Sequence, residues 1–206
     1  MHAETQKGDN ASEVNSSQWP DTNFIGDEWY SANRALIEIT IDRLIWQPAL
    51  LEDLKTRGPF MLDHIASTLS MAPPTISLLL CGDAQMRDMN RQHRGFDKPT
   101  NVLSFPSGDD WPADLGAHPS AEMLSIGDIA IAGETVLSEA NDGGITSGDH
   151  LLHLFTHGVL HLLGYDHIDD VMAEEMETLE ASLLAMMNVA NPYADTGMLV
   201  GTREAR

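Results

Sequence analysis

A chain of 206 residues, 42% of them apolar, is long enough to bury a sizeable core and too hydrophobic for global disorder. One cysteine, Cys81, excludes an internal disulfide, no run reaches 18 consecutive apolar residues, and the start MHAETQKGDN lacks the basic-then-apolar order of a signal peptide, so a soluble cytoplasmic protein is expected. Thirty-two acidic against eleven basic side chains give a formal net charge of -21, the opposite of the basic footprint of a free nucleic-acid binder.

Residues 1–32 are polar and mixed, with Trp19, Phe24, Trp29 and Tyr30 scattered among them, and read as a flexible leader whose aromatics pack onto the domain. A single domain then runs over 33–190, followed by a loose tail at 191–206. From Ala35 to Asp42 the alternation of Ile37, Ile39 and Ile41 with Glu38, Thr40 and Asp42 predicts a half-exposed or edge strand. Pro48 to Ser70 has helical periodicity that Gly58 and Pro59 interrupt, with Phe60, Leu62, Ile65, Ala66 and Leu69 as the apolar stripe and His64 beside it.

Thr75 to Cys81 is a nearly continuous apolar run, as in a strand covered on both faces, and Cys81 reads there as a small buried hydrophobe rather than a nucleophile. Asp83 caps a helix toward Arg94, Gly95 stops it, and Thr100 to Phe105 forms a short strand ended by Pro106. Strand, helix and strand at this spacing predict a crossover unit with the two strands parallel and adjacent.

The acidic segment Ser107 to Glu122 reads as a loop, anchored by Trp111 and exposing His118. Ile126 to Ala132 predicts another strand, with Ile126, Asp128, Ala130 and Ala132 on one face and Gly127, Ile129 and Ile131 on the other. Glu134 to Ala140 is a short helix. A helix from about His150 to Leu163, capped by Ser147 or Asp149, is apolar nearly all round and therefore central, with His150 exposed near its start. Asp169 caps a last helix to about Asn188, whose core positions are Met172, Met176, Leu179, Leu183 and Met187. Its glutamates Glu174, Glu175, Glu177 and Glu180 form a solvated face, with Glu177 or Glu180 able to reach behind a site. The expected class is α/β, or α+β-like: a small, mostly parallel mixed sheet of about four strands flanked by helices.

The chemistry concentrates in HGVLHLLGYDH, His157 to His167. His157 and His161 are four apart and share a helix face one turn apart. Gly164 can adopt positive φ and end the helix, and His167 can return toward the pair. Three imidazoles in so apolar a segment leave six ring nitrogens to satisfy, and one shared cation satisfies three of them with an open fourth side. Zinc suits this nitrogen set, one ion per chain, although nickel, cobalt or copper would accept it. His153, one turn earlier, diverges from such a centre and is expected behind it. The spacing resembles the HExxHxxGxxH motif of metzincin proteases, but Gly158 stands where those enzymes carry the glutamate base, which argues against peptide hydrolysis by that route.

The same segment, with RGFDKPTNVLSFP (Arg94 to Pro106) and GDIAIA (Gly127 to Ala132), closely resembles the YbeY family of bacterial rRNA maturation factors, described as metal-dependent endoribonucleases. The resemblance spans about residues 34–190. It implies metal ligands at His157, His161 and His167, an important arginine at Arg94, and an aspartate at Asp128 that orients Arg94 or a water. It also implies cleavage of single-stranded rRNA in small-subunit maturation and ribosome quality control, with rRNA, the small ribosomal subunit and a ribosome-associated protein as partners, and neither DNA nor membrane. Asp166 is suited to orienting one of the three histidines. Arg87, Arg91, His93, Arg94 and Lys98 form one local basic group, so the negative net charge is reconciled by weak intrinsic RNA affinity with the substrate presented by a particle or partner. Two other functions fit the same motif: a non-catalytic assembly factor stabilised by its metal, and a metallopeptidase or amidase.

Overall fold

The computed structural model describes residues 23–108 and 124–194. Along the chain these form β1 (Phe24–Tyr30), β2 (Leu36–Asp42), α1 (Pro48–Thr68), β3 (Pro74–Cys81), α2 (Asp83–Arg94), β4 (Val102–Pro106), β5 (Leu124–Ala132), α3 (Gly133–Gly143), α4 (Ser147–Leu162) and α5 (Asp170–Met186). The five strands make one mixed sheet in the order β1-β2-β3-β5-β4. β2, β3 and β5 run parallel, and the two edge strands β1 and β4 are antiparallel to their neighbours. The fold is α+β, with helices on both faces of the sheet.

One face of the sheet carries the main core. Ile37, Ile39 and Ile41 of β2 and Ile76, Leu78 and Leu80 of β3 meet Leu62 and Ile65 of α1, Phe155 and Val159 of α4, and Met176 and Leu183 of α5. The other face carries a smaller cluster, where Met86 and Met89 of α2 cover Cys81, Leu103, Ala130 and Ala132. Cys81 is fully buried, and burial pushes its thiol up to about 12, so it is the packing residue expected.

Several boundaries differ from those read in the sequence. Phe24–Tyr30, assigned to the leader, is the edge strand β1, paired along its whole length with β2, because Trp29 buries its ring while Asp27 and Glu28 stay exposed. β2 is thereby an inner strand. Gly58 and Pro59 do not divide α1, which runs unbroken over 21 residues. Both lie on its buried side, and a Cβ at Gly58 would already be 3.2 Å from Ile37, so the bare backbone lets the helix sit close to β2. β4 is neither beside β3 nor parallel to it, since β5 inserts between them and β4 returns antiparallel as the far edge. Residues 1–22, Trp111, His118 and residues 195–206, on which further expectations fell, lie outside the described residues.

The faces of β5 also depart from simple alternation. The register against β3 shifts between Thr75 and Ile76, which puts Ile126 in the main core together with Ile129 and Ile131. The extra residue is absorbed at Gly127, whose φ is +137°, and a Cβ there would lie 2.3 Å from the Phe105 carbonyl oxygen and 2.9 Å from Leu162. Only glycine fits. The bulge leaves Asp128 on the α2 face, beside Phe105 and Met89.

Candidate metal centre

α4 is the element on which the site is built. Thr146 caps it, accepting a hydrogen bond from the Asp149 N–H, in place of the expected Ser147 or Asp149. Its neighbours are α1, α3, α5, β4 and β5, so it is held from nearly all sides. At its end Gly164 takes φ +85°, with the Gly164 and Tyr165 N–H groups closing on the His161 and Leu160 carbonyls. That turn sends the chain back so that His167 returns beside the helix.

The three histidines converge as the motif predicts: their ligand nitrogens all lie within 4.8 Å of one another. Ring centroids are 4.6 Å apart for His157 and His161, 5.0 Å for His161 and His167, and 5.7 Å for His157 and His167. His157 and His161 are partly buried and His167 is exposed, so the cluster opens to solvent on the His167 side.

Proton positions follow from the partners. Nδ1 of His157 is 3.1 Å from Oε2 of Glu180, and Nδ1 of His161 is 3.0 Å from the Tyr165 carbonyl oxygen. A carboxylate and a carbonyl only accept, so both Nδ1 atoms donate, and in the neutral rings that bind a metal both Nε2 atoms carry lone pairs. Those two Nε2 atoms face each other at 3.0 Å. Two acceptors at that distance call for a cation between them. A tetrahedral ion with Zn–N bonds of about 2.0–2.1 Å sets its nitrogens ~3.3 Å apart, close to what the helix provides. Burial, with His157 and His167 nearby, lowers His161 to about 4, so at neutral pH its ring is the uncharged species that ligates.

Behind His157 lies Glu180, which the sequence pattern places on the solvated face of α5 and marks, with Glu177, as able to reach behind a site. Glu180 is fully buried. Its Oε2 also accepts from the Tyr193 hydroxyl at 2.6 Å, and Nε2 of His153 is 3.1 Å from Oε1. Burial opposes ionisation, but the neighbouring His153 and His157 outweigh it and hold the carboxyl at about 2. His153 thus sits behind the cluster, as expected. Asp166 makes no hydrogen bond to a ligand ring among the described residues; its Oδ1 accepts from the His167 backbone N–H. His150, expected to be exposed, is buried and 2.8 Å from Glu139.

Arg94 ends α2, on the sheet face opposite α4, and is exposed. Both helices nevertheless border β4: Ser104 donates to the Gly158 carbonyl, while the His93 ring packs edge-on against Phe105. Alternate residues of this edge strand therefore point to the histidine helix and to the arginine helix. Among the described residues the side chains of Arg94 and Lys98 have no ion-pair or hydrogen-bond partner, whereas Arg87 grips Asp97 with two bonds of 2.7 and 2.8 Å and Arg91 pairs with Asp88 at 2.9 Å. Two of the expected basic residues are thus neutralised and two are free. Asp128 faces Ser77 with its pKa raised by burial, and does not reach the histidines.

Gly158, next to the first histidine, packs on the sheet. A Cβ there would be 3.1 and 3.2 Å from Ile129 and 3.3 Å from the Ser104 hydroxyl, so any side chain at this position requires Ile129 and Ser104 to shift. The cavity of about 490 Å³ between α1, α3 and the start of α4 contains none of the three histidines, and of its charged residues Arg57 pairs with both Asp53 and Asp149.

An α+β domain whose central helix and following turn bring three imidazoles around one point belongs, by its chemistry, with proteins that can hold a divalent metal. The sequence model of the family described as "Endoribonuclease YbeY" matches residues 51–188, and the chain belongs to that family. Proteins named "Endoribonuclease YbeY" include one from Paramagnetospirillum magneticum, 51% identical over 120 residues that cover 58% of this chain and 71% of the relative. Another, from Sphingopyxis alaskensis, is 42% identical over 156 residues, or 75% of this chain and 91% of the relative. A third, from Rhizobium etli, is 44% identical over 163 residues, 76% and 92% of the two chains. Among the described residues no helix is long and apolar enough to cross a membrane.

Proposed function

We infer that this protein is a metal-dependent endoribonuclease of rRNA maturation, with His157, His161 and His167 holding one zinc ion and Arg94 contacting phosphate. The observation that carries the reading is the pair of facing lone pairs on His157 and His161, an arrangement that a cation would satisfy. The family's activity supplies the reaction class.

When bound, the metal supplies a Lewis acid for a phosphoryl oxygen and acidifies water. The chain's own residues do the rest. The Tyr165 carbonyl and Glu180 hold two rings with Nε2 toward the open side, and Arg94, unpaired at the end of α2, offers a planar fork to a non-bridging phosphate oxygen. The RNA strand then lies along the β4 side of the domain, between α2 and α4. An uncharged Gly158 packed on Ile129 leaves no carboxylate at the position of a peptidase base, which favours phosphodiester over peptide cleavage.

With a net charge of -21 and few unpaired cations near the site, affinity for naked RNA is low, and a ribosomal particle or a ribosome-associated protein in the cytoplasm presents the substrate. One domain, from β1 to the turn at Tyr193, carries the activity. Purified protein incubated with a labelled single-stranded rRNA fragment and, separately, a peptide library tests this. Internal cleavage of the RNA and none of the peptides is expected; the reverse pattern would establish the peptidase alternative, and neither product would favour the assembly factor.

A further inference from the structure

We propose that Glu180 is a positioning residue for the metal centre, and that Tyr193, from the segment after α5, completes it. The inference rests on the three-histidine reading above and adds the group that holds one of those histidines. Glu180 is the only carboxylate among the fully buried residues described, and it lies within 3.1 Å of ring nitrogens of both His153 and His157. A buried carboxylate left without donors costs several kcal/mol, so such a group persists where its surroundings supply donors. Here two hydrogen bonds come from Nδ1 of His157 and the hydroxyl of Tyr193, and the ring of His153, one turn earlier on α4, lies 3.1 Å from the other oxygen.

The consequence is directional. Accepting from Nδ1 fixes the His157 ring rotation and its tautomer, so that Nε2 presents its lone pair toward His161 and His167. The same contact makes the ring more basic and a stronger ligand. Tyr193 donates to the very oxygen that faces His157, at 2.6 Å, and thereby fixes that oxygen in place. Its hydroxyl acts as the donor there, since burial, and after it the neighbouring carboxylate, drive its pKa upward. The residues after α5, expected to be a loose tail, thus reach the metal centre: Asn191–Ala194 form a turn in which the Asn191 side chain accepts from the Tyr193 N–H.

A purely structural role for Glu180 predicts that its variants lose fold stability and lose metal binding only as a result. A positioning role predicts the two will separate. Glu180→Gln keeps the volume and one acceptor but loses the charge and turns an amide N–H₂ toward donors. Full-length wild type, Glu180→Gln and Tyr193→Phe would be titrated with zinc alone against a chromophoric chelator, and the melting temperature of each metal-stripped protein recorded. Glu180→Gln is expected to lower the metal-free melting temperature, because the ionised carboxylate is stabilised by its donors, while leaving the protein folded at the titration temperature, where zinc affinity falls 10–100-fold. Tyr193→Phe is expected to weaken it several-fold with a smaller fall in metal-free melting temperature. Affinities within twofold of wild type in both folded variants would overturn the proposal while leaving the three-histidine site standing, as would affinity losses seen only at temperatures where the metal-free variant is already unfolding. Failure of the wild type itself to bind zinc would overturn the metal reading beneath it.

Discussion

Nε2 of His157 and Nε2 of His161 face each other across 3.0 Å, and in the neutral rings neither has a proton to give the other, because each has committed its one N–H through Nδ1. Metal binding relieves that arrangement, and its stabilisation should be measurable. Zinc at ~100 times its dissociation constant adds about 2.7 kcal/mol to unfolding, whatever the absolute affinity. A rise in melting temperature on adding zinc, abolished by chelator and absent in His161→Ala, is the expected result.

The metal-free protein should also lose stability in acid in two stages. His161 titrates near 4 when folded and near 6.5 when unfolded, so between these values the unfolded chain binds more protons and stability falls as pH drops. Glu180 titrates near 2 when folded against 4.5 unfolded, so its contribution is present above 4.5 and is lost as pH falls from 4.5 toward 2. Chemical denaturation of metal-stripped protein from pH 8 to 3 checks this. Bound zinc should steepen the fall below pH 6.5, since protonation of its ligands competes with it.

Arg94 and Arg87 make a controlled comparison. Arg94→Ala is expected to lower the rate of RNA cleavage by roughly 100-fold or more, the usual effect of losing one charge-stabilising donor, with bound metal unchanged. Arg94→Lys should fail to restore the rate, because a point charge does not reproduce the fork. Arg87→Ala breaks an exposed pair with Asp97 and should change the rate little. Single-turnover cleavage with metal analysis of each variant decides it.

Few free cations among the described residues at the site imply weak binding of naked RNA with a shallow salt dependence. With Arg94 and Lys98 as the two phosphate contacts, the slope of log K against log salt is expected to be about -1.4, and the dissociation constant at 0.15 M salt should lie in the non-specific range of about 10⁻⁴ to 10⁻⁶ M. Filter binding across a salt series measures both. Nanomolar binding or a slope steeper than about -4 would mean that a larger basic surface engages the RNA than the described residues present.

Two glycines at positive φ should behave differently. Gly127→Ala drives a Cβ to 2.3 Å from the Phe105 carbonyl at the bulge of β5 and should cost roughly 3 kcal/mol or more. Gly144→Ala, at φ +63° with open space around it, should cost only about 1 kcal/mol. Urea midpoints of the two variants provide the comparison.

The ligand set was legible in the sequence because spacing on one helix and a glycine stop are local properties. His157, His161, Gly164 and His167 need no distant partner to define their geometry. Glu180 was less so, since four glutamates crowd α5 and only the packing of α4 against it separates the buried one from its exposed neighbours. The order of strands was likewise hidden: β4 reads as a strand by itself, but nothing between Cys81 and Val102 says that β5 will insert beside β3. Trp29 was visible as an aromatic in a polar stretch, yet Asp27 and Glu28 around it masked the period of β1. The bulge at Gly127 inverted the alternation that had grouped Ile126 with Asp128, because one extra residue exchanges the faces of a strand.

The most direct test is metal reconstitution: protein stripped of metal, then given zinc in steps, with internal cleavage of a single-stranded rRNA fragment followed at each step beside His161→Ala. Activity that is absent at first, rises linearly and levels at one equivalent per chain, with none in the variant, is the predicted result. Cleavage by metal-free protein at the reconstituted rate, or by His161→Ala at the wild-type rate, would contradict it.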